Sequence, residues 1–367
     1  MEQRLQISNI QMLALVALST FGTSSLYAPQ ILASYADRDS WFVVIIGGMI
    51  GVLNALVFFW LFKLHPDKDL ISLCTLLFGK WFGRLLALVF IFYFLDITTW
   101  SLREFSQFFI ITLNPIIPQT WYLIVGAIMA AFAVYHGLET FSRVSVLVLP
   151  ASIGTFLLIY LLLINQYHPE YLLPVMENGV IQPLRGTMLM ISWFGDVMFV
   201  SMILKYVKRT KKTVHYLLGA IGITFFILIM GAAVCTMVFG GKATASFIYP
   251  NISLIQNLQL FRNIERFDAA LVVIWVMSSF IKITVYFWSA LQGLKELFNI
   301  QRIRLWIIPM SAALIIVSKY KVWGLIELSA IYDKQSWFFV LFQFFIPCVF
   351  LLVALVKKKL NNEGGAL

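Results

Sequence analysis

The chain has 367 residues, of which 61% are hydrophobic and only 12% are charged. This balance is typical of an integral membrane protein and leaves no soluble domain to find. The net charge is +10, but the basic residues stand in short runs between apolar stretches. We therefore interpret the charge as a sign of membrane topology and expect no nucleic-acid binding.

Ten apolar stretches of roughly 20 residues, the length that crosses a bilayer, follow one another along the chain. Ten stretches divide into five plus five, so we predict one transmembrane domain over residues 1–367, with repeats at about 8–166 and 183–357. The first stretch is too long for the core of a signal peptide, and we interpret it as a mature helix. The centres of the ten stretches lie near Val16, Gly51, Phe90, Ala127, Thr155, Ile191, Phe226, Ile274, Ala312 and Phe345.

Two of the ten segments are interrupted by polar residues and glycine. The first segment contains such a break at residues 21–25, and the sixth contains one at residues 192–196. A break exposed to lipid would leave backbone groups unpaired, so it is tolerated only where it faces protein or a wet cavity. Matching breaks in the two halves of a chain indicate a transporter-type binding site near the middle of the membrane.

The connectors between the segments indicate how the chain is oriented. Most Lys and Arg residues outside the segments fall on the side of the N-terminus, which predicts that both termini are cytoplasmic. Residues 69–82 fit either a helix along the cytoplasmic face or an extension of the third segment. The long connector 240–267 has apolar residues at Ile252, Ile255 and Leu258, a spacing that predicts a short helix on the outer face.

Few ionisable residues fall inside the segments, and charge at membrane depth is costly, so each is a candidate for function. Asp96 in the third segment either pairs with Lys282 in the eighth or has a role linked to a proton or substrate. A desolvated Lys282 amine can take the place of a bound cation or lose its proton; the alternative is a lysine that reaches the interface. Arg103 and Glu104 lie near the outer end of their helix, which favours structural ion pairing or snorkelling.

The first break offers small polar groups to a ligand. If the helix is unwound at Gly22, Thr23 and Ser24, the amides that begin its second half present a positive dipole end to a carboxylate. The alternative is that these small residues allow close helix packing. Pro29 strengthens the break because it lacks a backbone N–H and clashes with the preceding turn.

The sixth segment supplies the other wall of the predicted site. Trp193 and Phe194 are candidate apolar walls, Gly195 a hinge and Asp196 a nearby charge. Thr98 in the third segment adds a hydroxyl. No catalytic motif, metal-ligand spacing or phosphate loop accompanies these residues, so we expect no enzyme activity, no cofactor and no bound metal.

Several strings along the chain resemble one known family. Pro-Asn-Ile-Ser-Leu at 250–254 and Ile-Glu-Arg-Phe-Asp at 264–268 resemble the outer-loop signature of the GerAB-type spore germination permeases, the B subunits of nutrient germinant receptors. Further matches fall at residues 78–83, 173–175, 194–196 and 293–295. The resemblance implies the fold of the amino acid-polyamine-organocation superfamily. That fold is an all-α, five-plus-five inverted repeat like that of LeuT, with helices one and six broken.

The resemblance also implies a site and a function. It implies a receptor subunit in the spore inner membrane that senses a small nutrient, an amino acid, and works with an A subunit and a lipid-anchored C subunit. Members of the family often have Gly-Ala-Gly in the first break, where this chain has Gly22, Thr23 and Ser24, so the implied pocket is narrower and more polar there. Asp196 replaces the more frequent Glu with a shorter side chain, for which the resemblance implies a role in capping or orienting the second break. The implied pocket residues are Gly22, Thr23, Ser24, Thr98, Phe194, Gly195, Ile281 and Lys282, with Asp96, Asp196 and Lys282 as candidates for charge coupling.

Two other functions fit the same fold. One is an amino acid transporter coupled to a proton or another ion, which would use the same pocket. The other is an ion channel subunit that opens when germinant binds. The sequence leaves these alternatives open, because sensing and transport require the same groups around the ligand.

Overall fold

The computed structural model describes residues 6–177, 179–257, 267–320 and 337–364. The described residues are helical apart from turns, connectors and one isolated bridge between Ile7 and Val207, in which Ile7 donates its N–H to the carbonyl of Tyr206 and accepts from the N–H of Lys208. The predicted all-α fold is therefore confirmed. The helices are α1 (Asn9–Phe21), α2 (Ser24–Ala36), α3 (Ser40–Leu64), α4 (Leu70–Phe78), α5 (Lys80–Thr112), α6 (Gln119–His136), α7 (Leu138–Leu162), α8 (Ile181–Phe194), α9 (Val200–Ile203), α10 (Thr213–Phe239), α11 (Gly241–Ser246), α12 (Pro250–Gln256), α13 (Phe267–Phe298), α14 (Ile307–Tyr320) and α15 (Ile346–Gly364).

Nine helical stretches in the described ranges are long and apolar enough to cross a membrane. One of them, Ser24–Leu64, has 41 residues. At 1.5 Å per residue it would be about 60 Å long, twice the hydrocarbon thickness, so it contains two segments that meet at the turn Asp37–Asp39. Helix α1 has 13 residues and is too short to span alone, but together with α2 it forms the first segment. The predicted segments thus correspond to helices of the structure.

Both predicted breaks are present. Helix α1 ends at Phe21 and α2 begins at Ser24. Gly22 (φ −53°, ψ −54°) and Thr23 (φ −83°, ψ −42°) keep right-handed helical dihedrals, so the first break is a short interruption rather than an unwound loop. In the sixth segment α8 ends at Phe194 and continues as a 3-10 turn, Gly195–Phe199, before α9. The sixth segment is also central, because 83% of its most apolar stretch is buried inside the protein.

Pro29 lies inside α2 rather than at the break. A proline has no N–H, so the carbonyl of Ser25, four residues earlier, loses its bond within the helix. The side-chain amide of Asn251 in α12 donates to this carbonyl at 2.6 Å, and both groups are buried. The outer-loop helix is thereby attached to the start of α2.

The two open questions about the connectors are resolved. Helix α4 is separate from α5, because Gly79 turns the chain between them at a φ of +81°, a value that favours glycine. The connector 240–267 contains two short helices, α11 and α12, of which α12 includes the predicted residues Ile252 and Ile255. Leu258 and the string 264–266 lie outside the described residues.

Candidate functional site

A buried ion pair joins the two breaks. The amine of Lys282, in the middle of α13, donates to the Oδ2 atom of Asp196 at 2.7 Å and to the hydroxyl of Thr23 at 2.9 Å. Thr23 belongs to the first break and Asp196 to the 3-10 turn of the sixth segment. All three side chains are buried. One lysine therefore connects the broken segments of the two repeats.

The carboxylate of Asp196 is held by two further residues. Tyr286, one turn after Lys282 on α13, donates its hydroxyl to the backbone oxygen of Asp196 at 2.9 Å and to the Oδ1 atom at 3.1 Å. The Nε2 atom of Gln343 lies 3.4 Å from Oδ1. Gln343 belongs to a π-helical turn, Leu341–Phe345, in the tenth segment, and such turns occur frequently at functional sites.

These contacts explain why the charges are tolerated in the core. Removing one partner of a buried ion pair leaves the other charge uncompensated, at about 3–5 kcal/mol. A buried pair is stable only when its remaining hydrogen-bonding capacity is also used. Tyr286, Gln343 and Thr23 use that capacity for Asp196 and Lys282.

A small cavity lies beside the ion pair. Its volume is about 40 Å³, enough for about three waters but far below the roughly 300 Å³ of ordinary ligand pockets. A ligand larger than a few atoms can therefore enter only if side chains or helices around the pair move. The cavity is lined by Ile97, Trp100, Ser101, Glu104, Ser192, Trp193, Asp196, Lys282, Phe339 and Gln343.

A larger cavity of about 550 Å³ opens near the start of α8. Its walls include Tyr35 near the end of α2, Arg185 and Met188 on α8, and Trp337 of the tenth segment. Met188 stands four residues before Ser192, which lines the small cavity. The two cavities are thus about one helical turn, roughly 5.4 Å, apart along α8. The larger cavity thus lies at the Ile181 end of α8, next to the small cavity along the same helix.

The structure corrects the predicted charge pairing. Lys282 forms its ion pair with Asp196, so the sixth segment supplies the carboxylate partner of the lysine, and a role of Asp96 linked to a proton or substrate stays a prediction. The residues of α5 that line the small cavity are 97, 100, 101 and 104. Asp96 precedes Ile97 in the chain but is not one of the lining residues. Glu104 is buried in the cavity wall, so snorkelling from a helix end does not describe it, whereas Arg103 is only half-buried.

Several predicted pocket residues are near the ion pair but not in the cavity wall. Thr98 donates its hydroxyl to the carbonyl of Phe94 on its own helix. Phe194 packs against Gly51 of α3, while its neighbour Trp193 lines the cavity. Ile281 is fully buried on α13 beside Lys282.

The small residues of the breaks allow close packing. A Cβ atom on Gly22 would lie 2.3 Å from the carbonyl oxygen of Leu18 and 3.1 Å from Ser278 on α13. A Cβ atom on Gly195 would lie 2.2 Å from the Oε1 atom of Gln343. Ser24 donates its hydroxyl to the carbonyl of Thr20 at 2.9 Å, across the first break. The packing interpretation of these residues is therefore supported, and a ligand contact stays a prediction for them.

Two residues that hold Asp196 were not predicted. Gln343 is the single amide in the otherwise apolar stretch from Trp337 to Val356, and a lone polar group at membrane depth is a usable signal. Tyr286 gave no such signal, because aromatic residues are common throughout the chain. The same holds for Trp100, which the structure places in the cavity wall.

Comparison with known sequences gives consistent matches over most of the chain. The profile of the family described as "Spore germination protein" matches residues 6–323. Spore germination protein KB of Bacillus subtilis (strain 168) is 24% identical over 371 residues, which cover 99% of this chain and 98% of that protein. Spore germination protein A2 of the same organism is 26% identical, with 81% and 82% covered.

Solved structures with a similar fold are membrane transporters. Mhp1, a nucleobase-cation-symport-1 family transporter in a closed conformation with bromovinylhydantoin bound, superimposes with a TM-score of 0.60 at 12% identity, covering 91% of this chain and 76% of Mhp1. MhsT in complex with L-phenylalanine gives a TM-score of 0.58 at 11% identity, covering 96% and 99%. At this identity the likeness concerns the fold, and it confirms the predicted LeuT-like architecture with broken first and sixth helices.

Proposed function

Because the chain belongs to the spore germination protein family, we propose that it is the membrane-embedded subunit of a spore germinant receptor. In this proposal it binds a small nutrient, an amino acid, between its broken helices and signals to the A and C subunits. It lies in the bilayer of the spore inner membrane with both termini in the cytoplasm. The family membership supports a permease-like role in germination. The partner subunits and the spore inner membrane are inferred from the family resemblance, the orientation from the distribution of Lys and Arg, and the ligand class from the geometry of the site.

The observation that carries the proposal is the Lys282–Asp196 pair between the two breaks. A ligand with only one charge would leave either the amine or the carboxylate of this pair uncompensated in the core. A zwitterion brings both charges, so its carboxylate can face Lys282 while its ammonium faces Asp196 or Glu104. An amino acid is therefore a ligand class that can enter this pair without leaving a buried charge alone.

Ligand entry would change the conformation of the site. The cavity of about 40 Å³ holds a few waters, so an amino acid must separate the 3-10 turn of the sixth segment from α13 or from the tenth segment. Ligand shifts such an equilibrium only by its difference in affinity between the two states. Ligand stabilises the open arrangement, and the partner subunits respond to the displaced segment.

A transporter of amino acids remains the second candidate, and the transporter fold of Mhp1 and MhsT favours it. MhsT is described in complex with L-phenylalanine, which makes amino acids the first ligands to test here. Uptake of a labelled amino acid by the chain in vesicles would support transport. Germination without uptake would support sensing.

The test compares the single variants Asp196→Asn and Lys282→Met with the double variant. Each single change leaves one buried charge unpaired, so we expect receptor abundance in spores to fall. The double variant has no buried charge at this place, and we expect its abundance to recover. Spores that carry the double variant should nevertheless require at least tenfold more amino acid to germinate. The variant lacks both charged groups that would bind the ligand, and charge-assisted hydrogen bonds contribute about 1.5–3 kcal/mol each.

The matched control is Lys295→Met, the same change at an exposed lysine on α13. Abundance is measured by immunoblot and germination by loss of optical density, over a panel of single amino acids and sugars. If the double variant is abundant and germinates normally with every nutrient, the ion pair is only structural. Ligand recognition must then lie in another subunit.

A further inference from the structure

A groove lined by basic residues lies on the side of the molecule opposite the outer cavity. Its volume is about 450 Å³, and it runs between α4, the start of α5 and the end of α13. Lys68, Lys80 and Arg84 line it together with the hydroxyl-bearing residues Ser72 and Thr75. We call this set the cationic groove.

The charges of the cationic groove are not compensated by the protein. Lys68, Lys80 and Arg84 are exposed, and the ion pairs found among the described residues do not include them. The one carboxylate in the wall is Glu296, which is bound to Lys205 at 2.6 Å. The groove therefore has a net positive charge, which favours an anionic ligand.

Large apolar side chains lie next to these cations. Trp81 is 84% exposed and Phe82 60% exposed, directly after Lys80 in the chain. Leu85, beside Arg84, is 59% exposed. In a membrane protein, exposed aromatic and aliphatic residues beside Lys and Arg are typical of the level where head groups meet acyl chains. The groove thus lies where a lipid could place its head group inside and its chains along Trp81 and Leu85.

We propose that the cationic groove binds the phosphate head group of an anionic phospholipid. Basic pockets between membrane helices on the cytoplasmic side bind such head groups in other proteins. An acidic segment of a partner subunit would match the charge equally well, but it would not explain the adjoining exposed apolar side chains. The lipid would hold α4 against α5 and α13 and so stabilise the inner end of the eighth segment.

The test follows thermal unfolding of the purified full-length chain in a zwitterionic detergent. Short-chain phosphatidylglycerol, short-chain phosphatidylcholine and inorganic phosphate are titrated in parallel. We expect only phosphatidylglycerol to raise the Tm of the unmodified chain. In Lys80→Gln/Arg84→Gln the apparent affinity for phosphatidylglycerol should fall about 25-fold, since each basic residue near an anionic surface contributes about a factor of five.

The matched control is Lys211→Gln/Lys212→Gln, which removes two exposed lysines from a loop outside the groove. It should keep the affinity of the unmodified chain. An equal loss in this control would mean diffuse attraction, and an equal effect of inorganic phosphate would mean a site for soluble anions. Unchanged lipid affinity together with lost co-purification of the A subunit would mean a protein partner. Each of these three results overturns the proposal. If the double variant does not fold, Lys68→Gln, at an exposed connector position, tests the same groove.

Discussion

Gly195 is a residue at which the sixth and tenth segments approach closely beside the ion pair. The side chain of Gln343 occupies the space that a Cβ atom on Gly195 would need, and the same side chain reaches Asp196. The glycine therefore allows an amide from the tenth segment to approach the ion pair. A hinge role for Gly195, as predicted from the sequence, stays a prediction.

We expect Gly195→Ala to displace Gln343 and to lower stability by about 1–3 kcal/mol through overpacking. The displaced amide would no longer contact Asp196, so the nutrient concentration for half-maximal germination should also change. Unfolding of the purified chain and germination of spores measure the two effects.

Gly222→Ala is the control for this substitution, because a Cβ atom there meets nothing within 4 Å. Alanine has the higher helix propensity, so this control should be neutral or slightly stabilising. Equal behaviour of Gly195→Ala and Gly222→Ala would contradict the close approach of Gln343.

At the scale of single residues, the sequence was sufficient to locate the breaks and both charges of the pair. Glycine and charged residues inside an apolar segment can be read directly from the sequence. It did not identify which carboxylate faces Lys282. Asp96 and Asp196 both lie inside apolar segments, and the choice depends on how α5 and the sixth segment are rotated about their axes. Packing against several neighbours sets that rotation, and a single sequence does not contain it.

At the scale of elements, one lysine holds three helical segments together. Lys205, at the end of the sixth segment, lies 2.5 Å from Asp69 and 2.6 Å from Glu296. Asp69 is fully buried and also caps α4 by accepting a bond from the amide of Ser72 at 2.8 Å. Glu296 stands near the end of α13. The C-terminal end of the sixth segment is thereby held to α4 and α13.

We expect Lys205→Met to destabilise the chain by about 3–5 kcal/mol, because the buried carboxylate of Asp69 loses its counter-charge. In Asp69→Asn/Lys205→Met the amide oxygen still caps α4, and no buried charge is left alone because Glu296, the second partner of Lys205, is exposed. Stability should therefore return in large part. Chemical or thermal unfolding of the purified variants measures this. A double variant as unstable as the single one would show that the charge of Asp69 is not the cause.

The elements themselves were predictable to different degrees. Apolar length identified the membrane helices, and the spacing of Ile252 and Ile255 identified α12. The separate α4 was left open, because its apolar residues continue the pattern of the next helix. The deciding residue is Gly79, whose positive φ ends one helix and starts the next.

The whole molecule has the architecture that the matching breaks and the family resemblance predicted. The orientation in the membrane stays a prediction from the distribution of Lys and Arg. It places the connector that contains Glu170 outside and the connector that contains Lys212 inside.

Cysteine labelling tests this orientation in intact cells. A membrane-impermeant maleimide should label Glu170→Cys directly and Lys212→Cys only after the membrane is made permeable. Both positions are exposed, and the variant Cys348→Ser serves as background because Cys74 and Cys235 are buried. The reverse pattern would invert the topology and place the outer cavity on the cytoplasmic side.

The bond from Asn251 to the carbonyl of Ser25 links two distant parts of the sequence. Pro29 removes the N–H that would satisfy this carbonyl, and Asn251, 226 residues after Ser25, supplies the replacement. In relatives with another residue at position 29, the helix can satisfy the carbonyl itself, and the amide at position 251 is free to change. Positions 29 and 251 should therefore covary among relatives: a proline in the first segment and an amide in the outer loop should be gained or lost together.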